Sequence, residues 1–558
     1  MPITSPLAPL SSRICLNIFW RWRWLTVLAA CLVAGGSLSV YLGQDSNWDL
    51  KNYHIYNPWA LLDRRGDIDL FAAGIQSYFN PVLDLPYYLL AFEWLPQWPR
   101  VVAFVAGLPY GLLVCLTLHL ANTVLSDLAL TAPYRAVAIM LTVAFGVTGA
   151  ATLPQVGTTF NEIQVASLVV GGLALLLYGL RKGAPTPDGR FAFLGGLLFG
   201  LAAGLKLTAS IYAPAAVLAL FAAATHKPRA IRAIAVFSIA WMIGCALTLG
   251  WWGYRMYTST GNPVFPMLEG IFGSQGLGTG TWLDNKFKPS SFTQALLFPF
   301  FWIDSTVPTV AEPLFSDPRF ALALFALFGF AALLVLSRMG RPAFQPGEVR
   351  RHVMPNTGLF VLVFVATSYV IWLKMFSILR YAVPIEVLLG LVIAIVTSVV
   401  CRRFLQLELS QKALVFFLAA LLVGTAAKTQ YPRWGRAAYG VTVLQVQPVA
   451  LAPNTLLVLI GSPQAFVLPS ISRQNPSVQF VGTTDDLLSA RGFGLWNKVM
   501  RRIADFSGGM YVMVRADQIE RLEMLPKLNL SADKNDCKSV VSSIDSDFRI
   551  CLLRRVGP

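Results

Sequence analysis

The sequence predicts an all-α polytopic membrane protein with a small extracytoplasmic α/β domain at its C-terminus. Three observations predict this fold class. Of the 558 residues, 56% are hydrophobic and 13% are charged, with a mean hydropathy of +0.60, whereas soluble domains carry about 25% charged residues. Apolar segments of bilayer-spanning length recur along residues 25–430. Beyond residue 450 the pattern changes to a helix-like run at Asp517–Met524 among short strand-like runs at Leu456–Ile460, Val478–Val481, Tyr511–Val514 and Arg549–Leu553.

About eleven apolar segments qualify as transmembrane helices, because a helix needs about 20 residues to cross the hydrocarbon core of a bilayer. Several are short. The division of 191–224 into two spans rests on Lys206, which interrupts the apolar run, and on Pro214, which follows it. The predicted spans are 25–42, 101–125, 136–152, 163–180, 191–205, 209–224, 233–252, 320–337, 357–375, 382–400 and 413–428.

The positions of basic residues in the short loops predict the orientation of the spans. Basic residues precede the first span and recur in alternate loops, for example at Arg135, Arg190, Arg229, Arg351 and Arg403. We therefore expect residues 1–24 in the cytoplasm of a bacterium and the spans, residues 25–430, in its inner membrane. The long loops 43–100 and 253–318 and the C-terminal domain, residues 450–558, are then expected on the periplasmic side.

The formal net charge of +16 does not predict binding to nucleic acid. The lysines and arginines are scattered between apolar runs instead of forming one basic face. They are better explained as topology signals and as contacts to anionic membrane lipids.

The cysteines predict one disulfide. In this topology only Cys537 and Cys551 lie on the oxidising side of the membrane, outside the spans. Two cysteines alone in an oxidising compartment predict a disulfide between them. The alternative is a pair of buried thiols in a small core.

The first long loop, 43–100, carries the candidate catalytic residues. Ionisable groups held at a membrane face are a functional-site hypothesis by default. Asp49 lies just beyond the first span, beside Tyr53, and is the expected general base, with Asp45 as the alternative. His54 is expected to contact substrate, unless it is a hydrogen-bonded interfacial residue. The tyrosines and tryptophan of 53–62 suit the headgroup level of the bilayer, and the charged run 63–69 predicts a solvated turn.

Later loops on the same predicted side supply partners for these carboxylates. Glu162 lies at the start of a span and could instead be a first-turn acid at a helix N-terminus. Lys206, Arg255 and Arg380 are the candidate cations. Arginine suits phosphate through its planar fork, although Lys206 and Arg380 could equally contact lipid headgroups. Carboxylates and cations together at a lipid interface indicate group transfer from a phosphate-linked lipid to a hydroxyl.

Four stretches, by their order along the chain and their shared predicted side of the membrane, resemble the GT-C superfamily of polytopic glycosyltransferases. This superfamily includes protein O-mannosyltransferases and lipid A aminoarabinose transferases. The four stretches are Asp49-Leu50-Lys51-Asn52-Tyr53-His54, Asn161-Glu162, Gly261-Asn262-Pro263-Val264-Phe265-Pro266 and Arg380-Tyr381-Ala382-Val383-Pro384. The resemblance covers roughly residues 20–430 and leaves the C-terminal domain unexplained.

The resemblance implies a polyprenyl-phosphate sugar donor and a glycan, lipid or protein acceptor. It implies that Asp49 is the base, that Glu162 is a second acid near the acceptor or a metal, and that Arg380 and Lys206 hold the donor phosphate. The first loop lacks the adjacent Asp-Glu pair of the family, since Leu50 follows Asp49. Metal dependence varies in the superfamily, so a divalent metal ion is a candidate cofactor although no dedicated metal motif is present.

Two other functions are compatible with the composition. A transporter or flippase of lipid-linked glycans should carry broken spans in related halves and charge near the bilayer midplane. Here the charges cluster on one predicted face, which favours the enzyme. An assembly factor that acts through its C-terminal domain would lose its function when about 450–558 is deleted.

Overall fold

The computed structural model describes residues 10–128, 130–180, 186–273, 285–303, 306–338, 354–489, 491–545 and 547–556. Long apolar helices form most of this part of the chain, and a five-stranded sheet lies at its C-terminal end. The helices are α1 Leu10–Leu42, α2 Pro99–Ser126, α3 Ala132–Val147, α4 Glu162–Leu180, α5 Gly189–Leu205, α6 Tyr212–Ala223, α7 Lys227–Thr260, α8 Arg319–Arg338, α9 Asn356–Met375, α10 Val383–Phe404 and α11 Leu407–Lys428.

The predicted multi-pass membrane fold is confirmed. Within the described ranges, seven helices are long and apolar enough to cross a membrane, and four apolar helices are shorter. The segment 191–224 divides into α5 and α6 as predicted, because Lys206 has extended backbone angles of φ −145° and ψ 109°. Close packing holds α1 against α2. A Cβ atom on Gly35 would lie 2.6 Å from the backbone nitrogen of Gly111, so only glycine allows this approach between two apolar helices.

The first long loop folds into short helical segments and a brief strand. The strand β1 is Gln44–Asp45, the helices are Tyr56–Leu62 and Leu85–Tyr88, and wide helical turns cover Leu50–His54 and Leu89–Trp94. β1 pairs antiparallel with β2, Arg436–Ala437. The segment that follows α11, the last membrane helix, is therefore hydrogen-bonded directly to the segment that follows α1, the first one.

The C-terminal domain is an α/β domain, as predicted. Its strands are β3 Thr455–Ile460, β4 Gln479–Thr483, β5 Gly509–Arg515, β6 Leu530–Val540 and β7 Phe548–Arg555, and its helices are α12 Leu468–Gln474, α13 Asp485–Ser489 and α14 Gly494–Asp505. The sheet has the order β4-β3-β5-β7-β6, with β3 parallel to β4 and β5 and with β7 antiparallel to both neighbours. Cys537 and Cys551 lie opposite each other on β6 and β7 and are joined in a disulfide.

The C-terminal domain lies on the first long loop, and this corrects two sequence-based expectations. Tyr53, Tyr56 and Trp59 are not exposed to lipid headgroups, because they pack in one buried cluster with residues of the sheet and α12. The run 63–69 is not a solvated turn throughout, since Arg65 and Asp69 form a buried ion pair at 2.7 Å. Asp69 also accepts a hydrogen bond from the backbone N–H of Phe480 on β4.

The end of the helix bundle that the C-terminal domain covers is called the capped end below. Four connections lie at this end, because each joins a helix that runs towards it to a helix that runs away from it. They are the first loop, the turn between α3 and α4, the break at Lys206 and the turn between α9 and α10. The chain therefore brings the ionisable residues of four separate connections to one face of the membrane domain.

Candidate active site

The turn that carries Asp49 is built by local hydrogen bonds beyond the end of α1. Gly43 takes a φ of +97°, a conformation that glycine adopts without strain. The side chain of Asn47 then accepts a hydrogen bond from the backbone N–H of Leu50 at 2.7 Å. This interaction starts the helical turn Leu50–His54 and places Asp49 at its beginning.

Asp49 forms an ion pair with Arg380, at 2.5 Å between Oδ2 and Nη1. The hydroxyl of Tyr53 donates a longer bond of 3.3 Å to the same oxygen. Burial raises the pKa of Asp49, but the charge of Arg380, with smaller contributions from His54 and Lys206, outweighs it and leaves the pKa below its usual value. Asp49 is therefore a carboxylate held in its ionised form by a partner that lies far along the chain.

A second ion pair joins Glu162 and Lys206. Asn161 has a left-handed φ of +68°, which asparagine tolerates, and α4 begins directly after it at Glu162. The Lys206 ammonium contacts Glu162 Oε1 and donates to the backbone carbonyl of Phe160 at 2.8 Å. The other carboxylate oxygen of Glu162 is buried and has no hydrogen-bond partner among the described residues.

Phe160 lies between the two ion pairs. Its ring contacts the Arg380 guanidinium, whose Cζ is 4.5 Å from the ring centre, and its carbonyl oxygen accepts from Lys206. Arg380 sits in a short turn before α10, which is pinned by a 2.7 Å bond from the backbone N–H of Leu379 to Val310. The Nε atom of Arg380 is buried and unpartnered within the described part of the chain. The two cations therefore flank one aromatic residue, and neither pair uses all of its hydrogen-bonding atoms.

His54 and Asp84 form a third polar pair. His54 Nδ1 lies 2.6 Å from Asp84 Oδ1, and the amide nitrogen of Asn161 donates to the same oxygen at 2.5 Å. Only 3% of His54 and 4% of Asp84 is exposed. His54 Nε2 has no hydrogen-bond partner in the described residues. Since Asn161 precedes Glu162 directly, this pair is attached to the second ion pair through the backbone.

A cavity of about 150 Å³ opens beside these groups at the capped end. Its polar wall includes His54, Asp84, Asn161 and Lys206, together with Asn80. Its apolar wall includes the residues Tyr78, Trp252, Pro263, Val264, Phe265, Pro266 and Tyr381. The predicted stretch 261–266 therefore does reach the site, as one side of the cavity. Asp49, Glu162 and Arg380 lie behind this wall. Tyr53 and Lys206 are wall residues. Asp49 contacts Tyr53, and Glu162 contacts Lys206.

Asp45, the alternative base, is occupied by structural hydrogen bonds. Its carboxylate accepts from the backbone and side chain of Asn47 and from the backbone and side chain of Thr159, at 2.8–3.1 Å. These bonds tie the first loop to the turn before α4. The geometry gives Asp45 a positioning function rather than contact with the cavity.

The structure does not bring Arg255 to the two ion pairs. Arg255 lies within α7, and its Cζ is 5.6 Å from the centre of the Trp252 ring. It borders a separate cavity of about 140 Å³ that is also lined by Tyr56, Gly66 and Asp67. Trp252 borders both cavities.

The carboxylates of the site do not form a metal centre. Asp49 and Glu162 each face a cation, and Asp84 accepts hydrogen bonds from His54 and Asn161. Throughout the described ranges, no group of three or more His, Cys, Asp and Glu side chains could hold a metal ion. The described residues therefore do not form an all-protein site for the divalent ion that the sequence resemblance leaves as a candidate cofactor.

The sequence analysis missed a second buried cluster, formed by Asp317, Arg319 and Glu386. Glu386 accepts from the backbone N–H groups of Ala151 at 2.9 Å and Thr152 at 2.7 Å. Arg319 donates to Asp317 at 2.8 Å and to three further oxygens, those of Phe145, Thr148 and Thr429. An acid at the first turn of an apolar span is a signal that could have identified Glu386.

Neither protein-family models nor curated proteins give a match to this sequence. Among solved structures, the chain is similar to the crystal structure of ArnT from Cupriavidus metallidurans bound to undecaprenyl phosphate. The two chains are 12% identical, the match covers 97% of this chain and 99% of that chain, and the TM-score is 0.48. At this identity and TM-score, no residue role or substrate is transferred from it.

Proposed function

We propose that this protein is a membrane glycosyltransferase that transfers a sugar from a polyprenyl-phosphate donor to a hydroxyl of a glycan, lipid or protein acceptor. The observation that carries this proposal is the arrangement at the capped end. Two cations lie on either side of Phe160: Lys206 lines the cavity, and Arg380 lies behind its wall. Buried cations next to apolar spans suit a lipid-linked anion.

An apolar groove supports the lipid part of the donor. A cavity of about 880 Å³ runs between α8, α9 and α10 and contains almost only apolar side chains. On α9 it extends from Leu359 to Lys374, which is about 22 Å at 1.5 Å per residue. The groove ends near the turn that carries Arg380, since Lys374 and Ile385 line it. A polyprenyl chain in this groove would have its phosphate at the capped end.

The two cations suit the charge that develops during transfer. A polyprenyl-phosphate sugar is a phosphodiester with one negative charge, and the phosphate that leaves gains a second charge as the bond to the sugar breaks. Cations already held in place stabilise that developing charge without reorganising. Before the donor binds, Asp49 and Glu162 are the counter-ions of Arg380 and Lys206. A donor phosphate would compete with these carboxylates for the two cations.

The site is proposed to face the periplasm. The opposite ends of the helices carry Arg135, Arg190, Arg229 and Arg403, and this distribution of basic residues supports a cytoplasmic location for that end. Alkaline phosphatase fused after Pro558 should then be active in cells, and a reporter that works only in the cytoplasm should be inactive at the same position. The reverse result would contradict the proposed side.

The first experiment is mass spectrometry of cell-envelope glycans from cells with and without this protein. We expect one sugar modification to depend on it. In parallel, undecaprenyl phosphate is titrated into the protein in lipid nanodiscs, and the variant Arg380→Lys is expected to weaken binding because it keeps the charge but loses the bidentate fork. Unchanged glycans would overturn the proposed function.

The variant Arg255→Lys is the matched control for this titration. Arg255 lies at the same end of the bundle but borders the separate cavity, so its substitution should leave undecaprenyl phosphate binding unchanged. Equal weakening by both substitutions would reduce the role of Arg380 to general attraction of anionic lipid. Weakening by Arg255→Lys alone would move the phosphate site to the second cavity.

A further inference from the structure

We propose that His54, positioned by Asp84, accepts the proton of the acceptor hydroxyl. This inference rests on the proposed transfer reaction and identifies a proton acceptor other than the carboxylates that the sequence motifs indicate. Three observations carry it. They are the His54–Asp84 contact, the unpartnered Nε2 atom of the buried His54 ring, and the position of His54 on the cavity wall.

The contact with Asp84 determines which ring nitrogen carries the hydrogen. An ionised carboxylate only accepts hydrogen bonds, so His54 Nδ1 must be the N–H donor in the 2.6 Å contact with Asp84 Oδ1. The lone pair of a neutral imidazole then lies on Nε2. Asn161 donates to the same carboxylate oxygen and fixes Asp84 from the other side. Asp84 and Asn161 are thus positioning residues for a base at Nε2.

The competing carboxylates are less suited to this task in the observed arrangement. Asp49 is not a residue of the cavity wall, and its ionised form is stabilised by Arg380 at 2.5 Å. That stabilisation lowers the pKa of Asp49 and makes it a weaker proton acceptor. Asp45 accepts five hydrogen bonds from Asn47 and Thr159. Among the described residues of the cavity wall, His54 is the one that carries a buried polar atom, Nε2, without a hydrogen-bond partner.

The proposed step transfers the sugar and one proton of the acceptor. The acceptor oxygen forms a bond to the anomeric carbon of the sugar while its proton passes to Nε2 of His54. The bond between that carbon and the phosphate oxygen breaks, and polyprenyl phosphate leaves with the electron pair and a second negative charge. The resulting imidazolium is stabilised by Asp84 until the proton passes to water. Lys206 on the cavity wall and Arg380 behind it supply positive charge near the departing phosphate.

The titratable and charged groups around the ring come from four parts of the chain. They are Asp49 and Tyr53 on the same turn, Asp84 in the first loop, Lys206 between α5 and α6, and Arg380 and Tyr381 before α10. Any of these can move the pH at which activity falls. For this reason the test compares variants at each pH instead of assigning one midpoint to His54.

The test uses the variant His54→Asn in cells that lack the native protein. Asparagine keeps an N–H donor near the position of Nδ1 and removes the lone pair of Nε2. We expect the rate at which the variant makes the glycan to be about 10²–10⁴-fold lower than the wild-type rate, which is the usual contribution of a general base. The affinity of the variant for undecaprenyl phosphate in nanodiscs should stay within about two-fold of the wild-type affinity. Asp84→Asn is expected to cost less, because Nε2 remains present but the tautomer is no longer fixed.

Two readouts separate a base from a structural residue. The wild-type rate should fall towards acidic pH as the imidazole becomes protonated, and the residual rate of His54→Asn should lack that fall. Added imidazole should restore part of the rate of His54→Gly, since the vacated space adjoins the cavity. Wild-type activity in His54→Asn would overturn the role of His54 and leave the proposed function standing. Absence of the glycan with the wild-type protein would overturn both.

Discussion

Two buried clusters of carboxylates and arginines lie near the same end of the helix bundle, and they differ in how completely their hydrogen bonds are used. In the closed cluster, Asp317, Arg319 and Glu386 all bind backbone groups, Asp317 and Arg319 also bind each other, and 0% of each residue is exposed. In the open cluster, formed by the pairs Asp49–Arg380, Glu162–Lys206 and Asp84–His54, one atom of each pair remains unpartnered among the described residues, namely Arg380 Nε, Glu162 Oε2 and His54 Nε2.

This difference separates a structural from a functional use of the same residue types. Burying a charge is costly unless its partners are complete, so a fully bonded cluster indicates a fold-stabilising role. Incomplete bonding next to a cavity leaves atoms available for a substrate. The closed cluster also supports the open one, because Glu386 binds the turn at Ala151 and Thr152 that precedes α4 and Glu162.

The largest expected effect comes from breaking the closed cluster. Arg319→Met leaves Asp317 buried without its cation, which costs about 3–5 kcal/mol. We expect little folded protein, measured as monodisperse material in detergent and as its melting temperature. Lys412→Met is the control, because the Lys412–Glu408 pair is exposed, and it should have no effect. A normal melting temperature for Arg319→Met would contradict the structural role.

The open cluster should respond in activity instead of folding. Lys206→Met removes a cation from the cavity wall, and loss of one such stabilising group lowers the rate of transfer by about 10²–10³-fold. The melting temperature should change much less than in Arg319→Met, because 19% of the Lys206 side chain reaches water. Lys428→Met, at an exposed position at the end of α11, is the control and should transfer at the wild-type rate. Equal decreases in the melting temperatures of Lys206→Met and Arg319→Met would contradict the proposed difference between the two clusters.

A smaller effect is expected from the contact between the C-terminal domain and the first loop. Asp545 pairs with Lys51, two residues beyond Asp49, at 3.1 Å, and with Arg515 at 2.5 Å. Asp545→Asn should lower the rate about ten-fold through a small displacement of the loop. Asp517→Asn is the matched control, since Asp517 binds Arg515 but lies 53% exposed and away from the loop. Equal rates in the two variants would show that the Lys51–Asp545 contact does not position the loop.

The smallest effect is a dependence of stability on acid. Because the folded pKa of Asp49 lies below its usual value, its ionised form stabilises the protein above the unfolded pKa of about 3.9, and this contribution is lost as the pH falls through the folded pKa. The difference in melting temperature between wild type and Asp49→Asn should therefore shrink below about pH 4. A difference that stays constant from neutral to acidic pH would contradict the proposed charge pairing of Asp49 with Arg380.

Much of the fold could be predicted from local sequence. Apolar segments of sufficient length become helices because a bilayer offers no partners for free backbone groups. Local sequence also predicted three further features. They are the break at Lys206, the strands near Leu456 and Val512, and the cysteine pair of the C-terminal domain. The strand Leu530–Val540 was missed because its polar composition lacks the alternation that indicates a strand.

Tertiary structure alone decided how the ionisable residues combine. Asp49 and Arg380 are 331 positions apart, and no local pattern indicates that they form a pair. Asp84 is one of seven acids in the first loop, and only the fold selects it as the partner of His54. The run 63–69 looks solvated in sequence, yet the C-terminal domain buries Arg65 and Asp69. Local sequence determines where a helix crosses the membrane, whereas long-range packing determines which charges meet, because a buried charge is stable only where another part of the chain supplies its partner.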